Sequence, residues 1–205
     1  SVTAASGMDA LSHAVEAYIG RNNTQSTRKY AAKATRLIFE ALPKACRNGE
    51  NMEARADMQQ AAYLAGLAMT RANVGYVHAI AHAVGGRYGL PHGLACGVAM
   101  PAVLHAYGNT AYRPLAELAD AAGVTDAAAG ETRSERQKAE AFIAAVQALG
   151  QTVGLPGGFQ ELAQADIPAL AQQAAKEGNR FYPAPKVLLK KELESVLKTL
   201  TAGRA

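Results

Sequence analysis

The chain has 205 residues, of which 49% are hydrophobic and 19% are charged, and its net charge is +4. This composition is typical of a folded globular protein and excludes an intrinsically disordered chain. No apolar run is long enough to span a bilayer, and the basic residues form no dense stripe with interleaved aromatic rings, so we expect neither a membrane nor a nucleic acid as partner.

The sequence pattern is helical almost throughout, because alanine and leucine dominate and β-branched alternation is nearly absent. A first helix is predicted over residues 8–19, with Ser6 as its N-cap and Gly20 at its end. A second is predicted to begin at Ser26 and to be kinked or ended by Pro43. Further helices are predicted over residues 52–71, 77–84, 92–107, 114–122, 135–149, 167–176 and 185–200.

The remaining segments indicate how these helices are organised. Residues 124–134 are typical of a loop, and residues 154–158 (GLPGG) of a turn. We find no internal repeat and no low-complexity linker that would separate two domains. The sequence therefore predicts an all-α fold, a multi-helix bundle-like single domain that covers residues 1–205.

Two cysteines, Cys46 and Cys96, lie far apart in the sequence and form no C-x-x-C pair. This usage predicts two buried free thiols in a reducing compartment, and we therefore expect a cytoplasmic protein. It gives no support to a zinc site built on thiolates.

Two short stretches concentrate the ionisable residues that could carry chemistry. In GMDALSHAVEAY, Asp9 and His13 are four positions apart, which places both side chains on one helix face. In GYVHAIAHAVGGRYGLPHG, His78 and His82 repeat this spacing, and His92 opens the next predicted helix. We expect Gly85 and Gly86 to form a turn that allows a close approach, and the chain to fold His92 back toward His78.

Each of these residues also has an ordinary interpretation, since Ser6 and Asp9 resemble a capping box and a single histidine is often a satisfied core residue. Several imidazoles in a core rich in small residues are harder to explain without partners. One carboxylate and several imidazoles suit Fe²⁺, Zn²⁺, Co²⁺ or Ni²⁺, and a site with few protein ligands leaves a position for a substrate.

Taken together, GMDALSHAVEAY and GYVHAIAHAVGGRYGLPHG closely resemble the iron-containing (group III) alcohol dehydrogenase family, strongly over about the first 110 residues. The resemblance implies a helical domain of the kind found at the C-terminus of dehydroquinate synthase. It implies that Asp9, His13, His78 and His92 bind Fe²⁺ or Zn²⁺. It also implies that His82 lies beside the substrate and transfers a proton.

The resemblance further implies an NAD- or NADP-dependent oxidoreductase that acts on a small alcohol or aldehyde. The family has an N-terminal nucleotide-binding domain, which we expect to lie outside this chain. No strand–glycine loop–helix unit is predicted here, and residues 84–89 (VGGRYG) have the wrong glycine spacing for a dinucleotide loop. We therefore expect a fragment that is inactive alone. The family has an Asn shortly after PHG, and this chain has Cys96 near that position instead. We expect the difference to affect the lining of the substrate pocket but none of the metal ligands.

Several alternatives stay open at the level of the sequence. The step Gly89–His92 (GLPH) is also similar to the maleylacetate reductases, a sibling activity on the same scaffold. A non-catalytic helical module that binds a metal is a second alternative. The metal, the alcohol, the choice between NAD and NADP, and a homo-oligomeric state are not determined by these residues.

Overall fold

The computed structural model describes residues 1–124 and 133–201. Within these residues the chain forms nine α-helices, two short 3₁₀ turns at Gly108–Thr110 and Gln164–Asp166, and no β-strand. The all-α fold predicted from the sequence is therefore confirmed. The helices are α1 (Val2–Ile19), α2 (Gln25–Arg47), α3 (Met52–Ala72), α4 (Tyr76–Tyr88), α5 (His92–Tyr107), α6 (Tyr112–Ala121), α7 (Glu135–Thr152), α8 (Ile167–Phe181) and α9 (Lys190–Leu200).

Helices α1 and α5 form the centre of the core. α1 packs against α2, α3 and α5, whereas α5 also packs against α4, α7 and α9. Leu11 and Val15 of α1 and Met100 and Leu104 of α5 are fully buried or nearly so. Because both helices are largely enclosed by others, a polar side chain on either needs a partner inside the protein.

The predicted starts of the first two helices are wrong. Ser6 lies inside α1, and the N-cap is Ser1, whose hydroxyl accepts a hydrogen bond from the Ala4 amide. Ser26 lies inside α2, because the reciprocal bonds between Thr24 and Thr27 cap that helix one residue earlier than expected. A side chain that makes the cap bond therefore decides each start, and a serine further along does not.

Pro43 does not end α2, which runs on to Arg47. The turn beyond the proline is held from outside, since Ala45 is buried with Ala54 of α3 in a small apolar cluster. Tertiary packing thus outweighs the missing backbone donor of proline.

Helix α4 is longer than predicted, and the expected turn at Gly85 and Gly86 is wrong. Both glycines lie inside the helix, and no heavy atom would come within 4 Å of a side chain added at Gly86. The helix ends instead at Gly89, which has a φ of 67° and whose amide bonds the Gly85 carbonyl. The Tyr88 hydroxyl donates to Asp166 at 2.7 Å, which fixes this last turn against the 3₁₀ turn before α8.

Other helix ends also differ from the prediction. α7 and α8 continue to Thr152 and Phe181, whereas α9 begins only at Lys190. Glu192 explains the late start of α9, because its carboxylate accepts the Leu189 amide and so caps the helix there. The predicted turn over residues 154–158 is present, and most of the predicted loop over 124–134 lies outside the described residues.

Two further expectations concern the whole chain. Among the described residues, no helix combines the length and the apolar character that crossing a bilayer requires. Cys46 and Cys96 are both free thiols, as expected, although Cys46 is only half-buried.

Candidate metal centre

The structure brings together four of the five ionisable residues that the sequence analysis singles out. Asp9 and His13 come from the middle of α1, His78 from the first turn of α4, and His92 is the first residue of α5. Each offers one ligand atom, and these four atoms all lie within 4.8 Å of one another. We call these four residues the Asp–His cluster.

Asp9 lies at the middle of this cluster. Its Oδ1 atom is 3.3 Å from Nε2 of His92, 3.7 Å from Nε2 of His78 and 3.8 Å from Nε2 of His13. Donor atoms that each lie about 2.1 Å from one tetrahedral cation are separated by about 3.4 Å. The three separations therefore suit a shared cation better than direct hydrogen bonds.

Two atoms of the cluster are buried without any hydrogen-bond partner. They are Oδ1 of Asp9 and Nε2 of His78, the only such side-chain atoms found in the described part of the chain. A buried polar atom without a partner costs about 1–3 kcal/mol, and more if it is charged. A cation between these two atoms would satisfy both, so the residues present fit a divalent metal ion.

The electrostatics of the cluster also favour metal ligation. Burial raises the pKa of Asp9, but the facing His78 and the nearby His13 and His92 outweigh burial and leave this pKa below its usual value. Burial lowers the pKa of both His13 and His92, against the charge of Asp9, which raises it. Asp9 is therefore ionised at neutral pH, and these two imidazoles are neutral, as ligands of a metal must be.

Glu16 is a residue of this site to which the sequence analysis gave no role. Its Oε2 atom lies 2.6 Å from Nδ1 of His78, and its Oε1 atom accepts the Val77 amide at 2.8 Å. Burial alone would lower the pKa of His78, but Asp9, Cys96 and Glu16 raise it to about 12. Without a metal this imidazole is therefore protonated at neutral pH, and a cation bound at Nε2 would displace the proton from that nitrogen. The signal in the sequence was weak: Glu16 lies one turn beyond His13, at a position equally common on a solvated helix face.

His82 lies next to the Asp–His cluster but does not belong to it. Its ring stacks on that of His92 with the centroids 5.3 Å apart, and its side chain is 42% exposed. Nδ1 of His82 lies 2.7 Å from Oε1 of Glu177, which also accepts a hydrogen bond from the Tyr182 hydroxyl. One nitrogen of His82 is thus held by the protein, and Nε2 is left for another partner.

Cys96 lies closer to the cluster than the sequence analysis expected, which placed it only in the lining of the substrate pocket. Because it is one helical turn beyond His92, its Sγ atom comes within 3.6 Å of His92 Nε2. Burial raises the pKa of this thiol to about 11, although His78 opposes the rise. The thiol is therefore neutral at pH 7 and is not among the four converging ligand atoms.

A cavity of about 610 Å³ opens onto the cluster from the side of α3. The imidazoles of His13, His78 and His92 and that of the neighbouring His82 face this space. Polar residues at the end of α3 and the apolar Met69 also line it. A separate groove of about 590 Å³ runs between α5, α7 and α9 and is lined by apolar side chains together with His105, Glu192 and other polar residues. Of these two cavities, only the first is lined by residues of the Asp–His cluster.

The cluster depends on a close approach of α5 to α1 at Gly93. A Cβ atom at this position would lie 2.2 Å from the backbone oxygen of Ala5 and 3.0 Å from Cβ of Asp9. Because the first contact is with backbone, no side-chain rotation can relieve it. Glycine at this position therefore allows His92 to reach Asp9.

We expect Gly93→Ala to lower the free energy of unfolding by about 1–3 kcal/mol, the usual cost of overpacking, and to weaken metal binding. Chemical denaturation and zinc titration measure the two effects. Gly86→Ala is the matched control, because it lies exposed in α4 with no neighbour in reach and is expected to be neutral or stabilising by up to about 1 kcal/mol. Equal stability of the two variants would contradict the close approach.

Comparison with known proteins gives a consistent result. A family model described as Fe-containing alcohol dehydrogenase family, C-terminal, matches residues 3–201. A 1,3-propanediol dehydrogenase of Klebsiella pneumoniae is 42% identical over 185 residues, which are 88% of this chain and 46% of that protein. An NAD-dependent methanol dehydrogenase of Bacillus methanolicus is 40% identical over 184 residues, which are 86% of this chain and 46% of that protein.

Solved structures agree with these sequence relatives. A 1,3-propanediol oxidoreductase superposes with a TM-score of 0.90 at 37% identity, over 96% of this chain and 51% of its own. An alcohol dehydrogenase from Oenococcus oeni also gives 0.90, at 34% identity, over 97% of this chain and 51% of its own. The chain thus spans about half the length of the relatives it matches.

Proposed function

The chain belongs to the Fe-containing alcohol dehydrogenase family, and on this basis we propose that it is the metal-binding part of an alcohol–aldehyde oxidoreductase. In this proposal Asp9, His13, His78 and His92 hold the metal. The observation that carries the assignment is the pair of buried atoms without partners, Oδ1 of Asp9 and Nε2 of His78, which face one another at 3.7 Å.

The donor set decides which metals suit the site. Three imidazole nitrogens and one carboxylate oxygen suit Fe²⁺ and Zn²⁺ alike, and both remain part of the proposal. A divalent cation bound there would supply Lewis acidity for an alcohol or carbonyl oxygen. Since His92 is 43% exposed and faces the cavity, the cluster is open to a small molecule on that side.

His82 is proposed to move the proton of the alcohol. Glu177 holds its Nδ1 atom, so that Nε2 can accept a proton when the alcohol is oxidised and return it when the aldehyde is reduced. The exposed position of His82 in the cavity allows it to pass the proton on to solvent.

The hydride acceptor is proposed to be NAD or NADP, bound largely by residues beyond this chain. One relative is named an NAD-dependent methanol dehydrogenase, and the chain spans about half of that protein. A nicotinamide cofactor would supply the redox chemistry, whereas this chain would orient the alcohol and exclude water. We propose that an N-terminal nucleotide-binding domain completes the enzyme.

The substrate is proposed to be a small alcohol or the corresponding aldehyde. Two relatives are named for 1,3-propanediol and methanol, both of which are short and polar. The cavity beside the cluster has a volume of about 610 Å³ and a mainly polar lining, which suits small molecules of this kind.

The test is an assay of the full-length protein with methanol, ethanol and 1,3-propanediol, each with NAD⁺ and NADP⁺, together with its bound iron and zinc. We expect about one metal ion per chain and oxidation of at least one alcohol, with activity lost after chelation. Reduction of maleylacetate in place of aldehydes would instead favour the maleylacetate reductase activity. Bound metal without any turnover would favour a non-catalytic metal-binding module.

A further inference from the structure

We propose that Glu16 is a positioning residue that fixes the tautomer of His78, so that the lone pair of Nε2 faces the metal. This inference rests on the ligand set of the proposed function and adds a residue to it. Glu16 itself ligates nothing in this assignment and acts only through His78.

The surroundings of Glu16 leave its carboxylate with two partners. Its side chain is only 1% exposed, and no lysine or arginine pairs with it in the described part of the chain. Oε1 accepts the Val77 amide, and Oε2 lies 2.6 Å from Nδ1 of His78. A buried carboxylate without a lysine or arginine partner depends on its remaining contacts, which here are the Val77 amide and His78.

The chemistry of these two contacts determines the tautomer. A backbone amide can only donate, and an ionised carboxylate can only accept, so both contacts of Glu16 require a hydrogen on the partner. Nδ1 of His78 must therefore carry the hydrogen. Nε2 is then the nitrogen available to a metal, and it is the buried atom without a partner that faces Asp9. Carboxylates that hold a ligating histidine in this way tighten metal binding.

The substitution Glu16→Gln separates this role from simple filling of space. Glutamine has nearly the same size but offers one acceptor and one donor, whereas Val77 and His78 both present hydrogens. If the amide oxygen faces Val77, its NH₂ group must meet Nδ1 and forces the hydrogen onto Nε2, which then cannot bind a metal. If the amide oxygen faces His78, the Val77 amide loses its partner.

The experiment measures zinc affinity of the full-length protein by competition with a chromophoric chelator. We expect Glu16→Gln to bind zinc about 10–100-fold more weakly than wild type, the usual effect of removing such a partner. Ser12→Ala is the matched control, because Ser12 is a buried polar residue of the same helix whose hydroxyl bonds the Met8 carbonyl. We expect this control to keep wild-type affinity, and chemical denaturation with chelator present monitors the metal-free fold of both variants.

The outcomes separate this inference from the proposed function. Wild-type affinity in Glu16→Gln, or an equal loss in Ser12→Ala, would overturn the positioning role but leave the ligand set intact. A wild-type protein that binds no zinc would overturn the ligand set and this inference with it. Should Glu16→Gln fail to fold, a crystal structure of the zinc-loaded wild type decides: coordination by Nε2 of His78 supports the role, and coordination by Nδ1 refutes it.

Discussion

Replacing His92 with alanine is expected to release the metal while the fold stays intact. The imidazole supplies one of four donor atoms. Loss of a residue that only hydrogen-bonds to a ligand already lowers metal affinity about 10–100-fold, so we expect at least a hundredfold loss of zinc affinity here. Its side chain is 43% exposed, so in the metal-free protein truncation should change the free energy of unfolding by no more than about 0.5 kcal/mol. Elemental analysis and chelator competition measure the loss.

His78→Ala should remove the metal equally but also destabilise the protein. His78 is 3% exposed and lies between the carboxylates of Asp9 and Glu16, which would be left without it. His105→Ala is the control for both variants, because His105 lies on α5 in the separate groove. We expect the His105→Ala protein to bind metal as wild type does. Full metal occupancy in either His78→Ala or His92→Ala would exclude that residue from the ligand set.

Replacing His82 with alanine is expected to slow turnover by about 10²–10⁴-fold with the metal retained, the usual contribution of a general acid–base. The reason is geometric: His82 contacts Glu177 through Nδ1 and leaves Nε2 toward the cavity, yet it contributes no atom to the Asp–His cluster. Steady-state kinetics of the full-length enzyme, with metal content measured on the same samples, test this expectation.

Chemical rescue distinguishes a lost proton carrier from an altered cavity. Imidazole added to the assay should restore part of the rate of His82→Ala and leave the rate of wild type unchanged. An unchanged rate in the variant would contradict the role in proton transfer. Loss of the metal would instead place His82 among the ligands.

The sequence predicted the contents of the site better than its geometry. The spacing of Asp9 and His13 placed both residues on one face of α1 by local helix geometry alone, and that pair is adjacent in the structure. The position of His92 beside Asp9 depends on long-range packing at Gly93, which the local sequence does not reveal. The expected turn at Gly85 was wrong for the same reason, because contacts with Asp166 hold the end of α4.

Glu16 could not be recognised for a different reason. A glutamate on a helix is most often solvated, whereas tertiary packing buries this one. Its partners lie about sixty residues away, so no local pattern joins them. His78 and His82 lie on the same predicted helix, so the sequence pattern alone did not decide which of them is a ligand. That choice followed from the resemblance to the family.

The ligands of the Asp–His cluster come from three helices, of which α1 and α4 make few direct contacts and are joined mainly through α5. In the proposed metal-bound protein, the ion would therefore act as a cross-link between segments that are distant in the chain. Binding of this kind stabilises the native state in proportion to the logarithm of the free ion concentration. The thermal resistance of the protein would then follow the supply of metal in its surroundings, in addition to the strength of its core.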